Sequence, residues 1–241
     1  MHRQFKKTYG KISEGNLGMS HKAVIFDMYE TLITFYRSPL YFSENIAADC
    51  GLSRAEFKSF WDKTEDDRTL GKVTFEEVIE DILRSTGRYS DELLKLISEK
   101  RQRSKYEAFK TIDPEVKELL KELKDRKVKI ALITNCFHEE RTAIRDSDIF
   151  KCFDAACLSC ELGVMKPDEK IFKECLKRLN LKPEECLYVG DGGSSELEAA
   201  SALGMKALQA TWYFKDNTRD HVHLKKDFAT LLRPMDVIRF L

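Results

Sequence analysis

Asp27, Thr134 with Asn135, Lys166 and the pair Gly190-Asp191 are the residues of this chain whose types and places could do chemistry together. Asp27 ends a short apolar run at 22–26, Thr134 and Asn135 end a longer one at 128–134, and Gly190-Asp191 follow a third at 186–189. Lys166 stands in a loop directly before Pro167. Two acids, a hydroxyl and a lysine gathered at one sheet edge suit covalent catalysis by a carboxylate. Taken singly, each has a plainer reading: Asp27 as a strand-end cap, Thr134 as an ordinary strand residue, Lys166 as a solvated loop charge. Only convergence in the fold makes them a site.

The elements that must bring them together follow from periodicity. The run at 22–26 is rich in β-formers and predicts a first strand. From there to about residue 110 the pattern is helical, in pieces punctuated by Gly51, Gly71 and Gly87: helices are expected over 39–49, 53–70, 74–85 and 90–105. Thr74 with Glu77, and Ser53 with Glu56, have the spacing of capping boxes. A run of helices without a strand reads as a bundle inserted into another domain. Alternation then resumes. Asp113 and Pro114 open a helix with Val116, Leu119, Leu120 and Leu123 on one face. Strands are expected over 128–134, 153–158, 186–189 and 206–210, with helices over 139–147, from Asp168 and over 195–203. The fold class expected is α/β, a Rossmann-like parallel sheet with an inserted helical cap. Its domains divide as a loosely ordered extension at 1–19, a core at 20–35 and 109–241, and a cap at 36–108. Chemistry in such sheets sits at the carboxyl ends of the strands.

Composition narrows the function. Lys plus Arg and Asp plus Glu number 41 each, so no excess of positive charge marks the chain for nucleic acid or an anionic membrane. No apolar run approaches the roughly 20 residues that span a bilayer. The basic start, with Arg3, Lys6, Lys7 and Lys11, lacks the apolar stretch of a secretory signal. Seven cysteines, an odd number, are read as core thiols in a reducing cytoplasm; Cys152, Cys157 and Cys160 lack the paired spacing of a zinc knuckle. His221 and His223 alternate without further ligands in view.

Four segments now carry a resemblance. The run Phe26-Asp27-Met28-Tyr29-Glu30-Thr31-Leu32, then Thr134-Asn135, Lys166-Pro167, and Gly190-Asp191-Gly192-Gly193-Ser194-Ser195-Glu196 resemble, in order, the first to fourth motifs of the haloacid dehalogenase superfamily. The resemblance covers the chain from about residue 22 onward, the helical insertion matching the family's small cap. It implies that Asp27 is a nucleophile forming an aspartyl intermediate, that Thr134 donates a hydrogen bond to the transferred group with Asn135 beside it at the substrate, and that Lys166 holds the nucleophile and the charge. It also implies a Mg²⁺ ion held by Asp27, Asp191 and the backbone carbonyl of Tyr29, with Glu196 in support.

One departure matters. Family phosphatases carry a second aspartate two residues after the nucleophile, as acid and base for the leaving group; here Tyr29 stands there. A phenol with an ordinary pKa near about 10 is a poor base at neutral pH. Tyrosine at that place resembles the metal-independent 2-haloacid dehalogenases, which also use an arginine for the substrate carboxylate; Arg37 and Arg68 are the candidates. Gly190-Asp191 points the other way, since a retained acid beside Asp27 calls for a cation. The favoured reading is a cytoplasmic, Mg²⁺-dependent phosphatase of a small phosphorylated metabolite. A dehalogenase and a non-catalytic binding protein are the alternatives.

Overall fold

The computed structural model describes residues 21–216 and 223–241. Six parallel strands form one sheet: β1 (Ala23–Phe26), β2 (Lys129–Thr134), β3 (Ala155–Leu158), β4 (Cys186–Gly190), β5 (Lys206–Ala210) and β6 (Ala229–Leu231), in the order β3-β2-β1-β4-β5-β6. The chain runs outward from β1 through β2 to β3, then crosses back to place β4 on the other side of β1. Asp27, one residue past β1, therefore lies at the switch point, where flanking connections diverge and leave a crevice.

Both faces of the sheet are covered, which is why β1 is an unbroken apolar run instead of an alternating one. Val24, Phe26, Ile130, Leu132, Leu187 and Val189 face one way, onto Val116, Leu119, Leu120 and Leu123 of α6 (Pro114–Asp125). Ala23, Ile25, Ala131, Ile133, Cys186 and Tyr188 face the other, onto α9 (Glu169–Leu179) and α10 (Glu196–Ala202). Register then sets the site: Phe26 lies level with Leu132 and Val189, so Asp27, Thr134 and Asp191 emerge at the same edge.

Between β1 and β2 lie α1 (Ser43–Asp49), α2 (Arg54–Trp61), α3 (Glu65–Thr69), α4 (Phe75–Ser85) and α5 (Asp91–Lys110). They build a third apolar cluster of their own around Ile46, Phe57, Phe75, Ile79, Ile82 and Ile97. The Thr74–Glu77 capping box forms in both directions, whereas Ser53 only accepts from the Glu56 amide. The single helix expected over 53–70 is broken by a 3-10 turn at Asp62–Thr64. There the Thr64 hydroxyl bonds to the Trp61 carbonyl at 3.0 Å, a local competitor for helical hydrogen bonds. Helix α5 runs five residues beyond its expected end, because Ser104, Lys105 and Ala108 are buried and tertiary packing sustains the helix.

Two contacts dock these helices on the sheet domain. Along α5 and α7 (His138–Asp146), buried Arg101 pairs with Glu139 at 3.0 Å and buried Lys105 with Glu140 at 2.6 Å. At the other contact, the Ser159 hydroxyl at the start of α8 (Ser159–Leu162) donates to the Thr69 carbonyl at 2.7 Å. Gly71 packs so tightly there that a Cβ would lie 2.0 Å from the Cys160 carbonyl oxygen.

Strand β3 starts two residues later than expected, Phe150–Cys152 forming a 3-10 turn, and the short β6 and α8 carried no sequence signal. The stretch at 1–19 and His221 lie outside the described residues. Cys157 and Cys160 are buried free thiols, Cys160 lying 3.7 Å from Cys136 sulfur to sulfur.

Candidate active site

Four loops supply the site. After β1, the amide of Asp27 still bonds to Val189 of β4 at 2.9 Å, continuing the sheet ladder by one residue. Leu32 and Ile33 then donate back to the Met28 carbonyl at 2.8 and 3.0 Å, and all three side chains are buried, so the turn is anchored from beneath. Glu30 adopts a left-handed φ of 56°. Its carboxylate offsets that strain by accepting from the Thr34 hydroxyl at 2.7 Å and the Phe35 amide at 3.2 Å.

After β2, Asn135 clamps the lysine loop: its Oδ1 accepts from the Lys166 amide at 2.8 Å and its Nδ2 donates to the Lys166 carbonyl at 3.0 Å. Thr134 is fully buried, its hydroxyl reaching only the Asn135 carbonyl at 3.4 Å. After β4, the Asp191 carbonyl accepts from Gln209 at 2.8 Å and one of its carboxylate oxygens from the Gly193 amide at 2.8 Å. Gly190 has to be glycine, because a Cβ would stand 2.0 Å from a Glu196 oxygen.

These loops converge. The Lys166 ammonium donates to Asp27 Oδ1 at 2.5 Å and also to Glu196 Oε2. The Tyr188 hydroxyl donates to that same Glu196 oxygen at 2.8 Å, and the Gly192 amide to the other at 3.2 Å. Asp27, Asp191 and Glu196 each present an oxygen within 4.8 Å of the others, and all three are buried. With Tyr29, Glu30, Asn135 and Lys166 they border a cavity of about 180 Å³.

One ammonium cannot neutralise three buried carboxylates, and the acids show it. Burial, then the charge of Glu196, pushes Asp27 up to about 8 and Asp191 to about 7. Burial alone would weaken the Lys166 ammonium, but attraction to Asp27 and Glu196 outweighs it and holds the lysine above its usual range. Buried oxygen donors in negative surplus fit a hard divalent cation; among the described residues no other cluster of three or more such ligands forms.

A pH dependence follows. Asp27 and Asp191 hold protons in the folded chain that they lose near 3.8 when unfolded, so their contribution to stability fades as pH rises toward about 8. The metal-free protein is expected to melt lower at pH 8.5 than at pH 6, and Mg²⁺ to raise the melting temperature more at pH 8.5. Thermal unfolding at both pH values checks this, and a Mg²⁺ shift that is larger at pH 6 would contradict it.

Tyr29 stacks on Phe35, ring centroids 4.7 Å apart, and its buried hydroxyl has no hydrogen-bond partner. Burial, then Glu140, drives the phenol well above its ordinary pKa. It borders a cavity of about 400 Å³, walled by Glu65, Asp66 and Thr69 of α3 on one side and by Asn135, Lys166 and Ser194 on the other. The two arginines part company. Arg37 pairs with Asp113 at 2.9 Å and Asp216 at 2.7 Å, and is absent from the walls of both cavities. Arg68 is 1% exposed and lines the adjoining cavity. Sequence reasoning passed over Tyr188 and Glu30. Tyr188 shares a strand face with Gly190, a parity that could have pointed to it; nothing distinguished Glu30 from a solvated acid.

Comparison with known proteins bears on the family and the fold. Residues 21–204 match the model of the haloacid dehalogenase-like hydrolase family. Rhythmically expressed gene 2 protein of Drosophila melanogaster is 34% identical over 119 residues, 44% of this chain and 46% of that protein. Phosphorylated carbohydrates phosphatase of Thermotoga maritima is 28% identical over 148 residues, 61% of this chain and 67% of the other. The chain thus spans less than half of the Drosophila relative's length. A phosphatase of the same superfamily from Thermococcus onnurineus superposes with a TM-score of 0.61 at 17% identity, covering 91% of this chain and 97% of its own. A dehalogenase crystal structure gives 0.61 at 19% identity, covering 93% and 99%. With most of its length matched by the family model, the chain belongs to the haloacid dehalogenase-like hydrolases.

Proposed function

We propose that this hydrolase is a Mg²⁺-dependent phosphatase of a small phosphorylated metabolite, with Asp27 as nucleophile. The observation that carries this reading is the surplus of buried carboxylate over ammonium around Asp27. Relatives named as phosphatases support it, among them phosphoserine phosphatase of Thermus thermophilus, 28% identical over 109 residues. Asp27, Asp191 and the backbone carbonyl of Tyr29 would hold the ion, which when bound supplies positive charge to the phosphoryl oxygens.

The chain's own residues do the rest. The Asp27 carboxylate attacks phosphorus, the ester oxygen leaves, and water later cleaves the aspartyl phosphate. Lys166, gripped by Asn135 through its backbone and by Glu196 at its tip, orients Asp27 and balances the charge of the transferred group. Thr134, whose hydroxyl is engaged only at 3.4 Å, is the donor to that group. The helices of 36–108 act as a cap, α3 closing the cavity from above. Seven free cysteines favour work in the cytoplasm. Among the described residues no helix is long and apolar enough to cross a membrane.

Tyr29 limits the reaction. A phenol held above its ordinary pKa is a weaker acid than free tyrosine and cannot serve as base near neutrality. Leaving groups must therefore depart largely unassisted. Acyl and aryl phosphates are expected to turn over roughly 10² to 10⁴-fold faster than alkyl phosphates, the range a general acid would otherwise supply. Steady-state rates across a leaving-group series with Mg²⁺ test this; a flat series would count against it. The same tyrosine favours a second reading, a dehalogenase whose halide needs no proton. Chloride release from 2-chloropropionate in EDTA would select that reading. Silence in both assays, together with failure of beryllium fluoride to bind, would favour a protein that binds without turnover.

A further inference from the structure

Two cysteines adjoin the residues that hold Lys166 and dock the cap. Cys136 follows Asn135 in the irregular stretch after β2, and Cys160 is the second residue of α8. Their sulfurs lie 3.7 Å apart as free thiols, buried in the same apolar cluster. Ser159 ties the two segments to the cap. Its hydroxyl accepts from the Cys136 amide at 2.9 Å and donates to the Thr69 carbonyl at 2.7 Å.

What adjoins this pair gives it consequence. On one side Asn135, next in the chain to Cys136, grips the Lys166 backbone at 2.8 and 3.0 Å. On the other, Gly71 of the cap is pressed against the Cys160 carbonyl. The Cys160 segment has no room to move toward the cap, whereas Cys136 sits in a stretch with neither helix nor strand to hold it. Closing the sulfurs to the roughly 2.05 Å of a disulfide therefore falls on the Cys136 side and draws Asn135 with it. Cys160 is also the thiol more open to a small oxidant, 6% exposed against 1% for Cys136. A hydrogen bond from Cys136 holds the Cys160 thiol below its usual range, while burial drives Cys136 well above it.

We propose that Cys136 and Cys160 are a peroxide-sensitive pair whose disulfide loosens the Asn135 grip on Lys166 and so slows the enzyme. The Cys160 thiolate attacks one peroxide oxygen; an S–O bond forms, the O–O bond breaks, and the departing hydroxide takes a proton and leaves as water. Cys136 sulfur then attacks the sulfenic sulfur; the S–S bond forms, the S–O bond breaks, and a second water leaves with the Cys136 proton. Both sulfurs are oxidised and the peroxide is reduced. Only the loss of turnover rests on the phosphatase reading; the bridge and its effect on Lys166 do not.

The full chain, first reduced and then exposed to hydrogen peroxide, is followed in three ways. These are fragment mapping by mass, 4-nitrophenyl phosphate turnover with Mg²⁺, and hydrogen–deuterium exchange over 164–168, where the Lys166 amide bonds to Asn135. Expected are a fragment joining Cys136 to Cys160, a fall in turnover of about tenfold or more, and faster exchange over 164–168, all reversed by a dithiol reductant. Cys136→Ala and Cys160→Ala should each keep turnover within about threefold of the reduced wild type and lose no more than about twofold to peroxide. A bridge only between Cys157 and Cys175, which pack on the opposite face of the sheet, overturns the proposal. So do thiols that stay unbridged, a Cys136–Cys160 bridge that leaves turnover and exchange unchanged, or a Cys160→Ala as sensitive to peroxide as the wild type. If the reduced protein cleaves no phosphoester, the phosphatase reading fails and the other two measurements still decide. The bridge together with faster exchange then upholds the proposal, and the absence of either refutes it.

Discussion

Asp27→Asn is expected to cost on the order of 10⁴-fold or more in turnover while leaving the protein folded. The amide has nearly the shape of the acid but carries no anion to attack phosphorus. Its effect on stability should run the opposite way. Three buried carboxylates against one ammonium leave a negative surplus, and the substitution removes one of the three. Lys166 keeps Glu196 as its partner. The melting temperature of the metal-free variant at pH 8.5 should therefore equal or exceed that of the wild type, although activity is lost. Paired measurements of hydrolysis and thermal unfolding check both halves. Residual turnover within about tenfold of wild type would remove Asp27 from the reaction.

Lys166→Met should do the reverse and damage both properties. The side chain is 3% exposed and is the ammonium between Asp27 and Glu196. Removing one partner of a buried ion pair costs about 3 to 5 kcal/mol, since the charge left behind stays desolvated. For a chain of this size that is a fall of roughly 10 °C in melting temperature. Sign again follows from the acids: protons on Asp27 and Asp191 relieve the repulsion, so the loss should be larger at pH 8.5 than at pH 6. Mg²⁺ should restore part of the stability by supplying the missing charge. Turnover should fall about 10² to 10³-fold, the usual cost of losing one preorganised donor. A melting temperature within 2 °C or so of the wild type at pH 8.5 would show that the lysine does not carry this balance.

The two substitutions touch adjoining atoms yet are expected to move stability in opposite directions. A lysine that merely packed in the core would be lost without any dependence on pH or Mg²⁺. An aspartate that merely capped a strand would cost stability when changed, and leave turnover alone.

Much of this site could be read in the chain. β1 is apolar on every residue because both of its faces are buried, and Asp27 marks where that apolar run stops. The same logic placed Thr134 and Asp191 at strand ends, and parallel register brings strand ends to one edge. Helix α4 was legible through Thr74 and Glu77, whose mutual hydrogen bonds are local to one turn. The break between α2 and α3 was not, since it depends on Thr64 and on Arg68 folding back over Trp61. Helix propensity carries no record of that contact. Arg37 and Arg68 looked alike in the sequence as candidate arginines for a substrate carboxylate. One pairs with acids at the surface, and the other is buried with a free donor.

Strand periodicity, caps and the residues closing each strand depend on neighbours a few positions away, so the sequence by itself determined the parallel sheet, the helical insertion and the acids at its edge. Charge balance depends on distances between residues far apart in the chain, such as the 139 positions between Asp27 and Lys166. Only the tertiary structure could decide that Glu196 shares the lysine, that Tyr188 supports Glu196, and that Arg68 is buried with one nitrogen lacking a hydrogen-bond partner. Electrostatic energy in a buried site changes steeply over an ångström or two, and no local pattern encodes that separation.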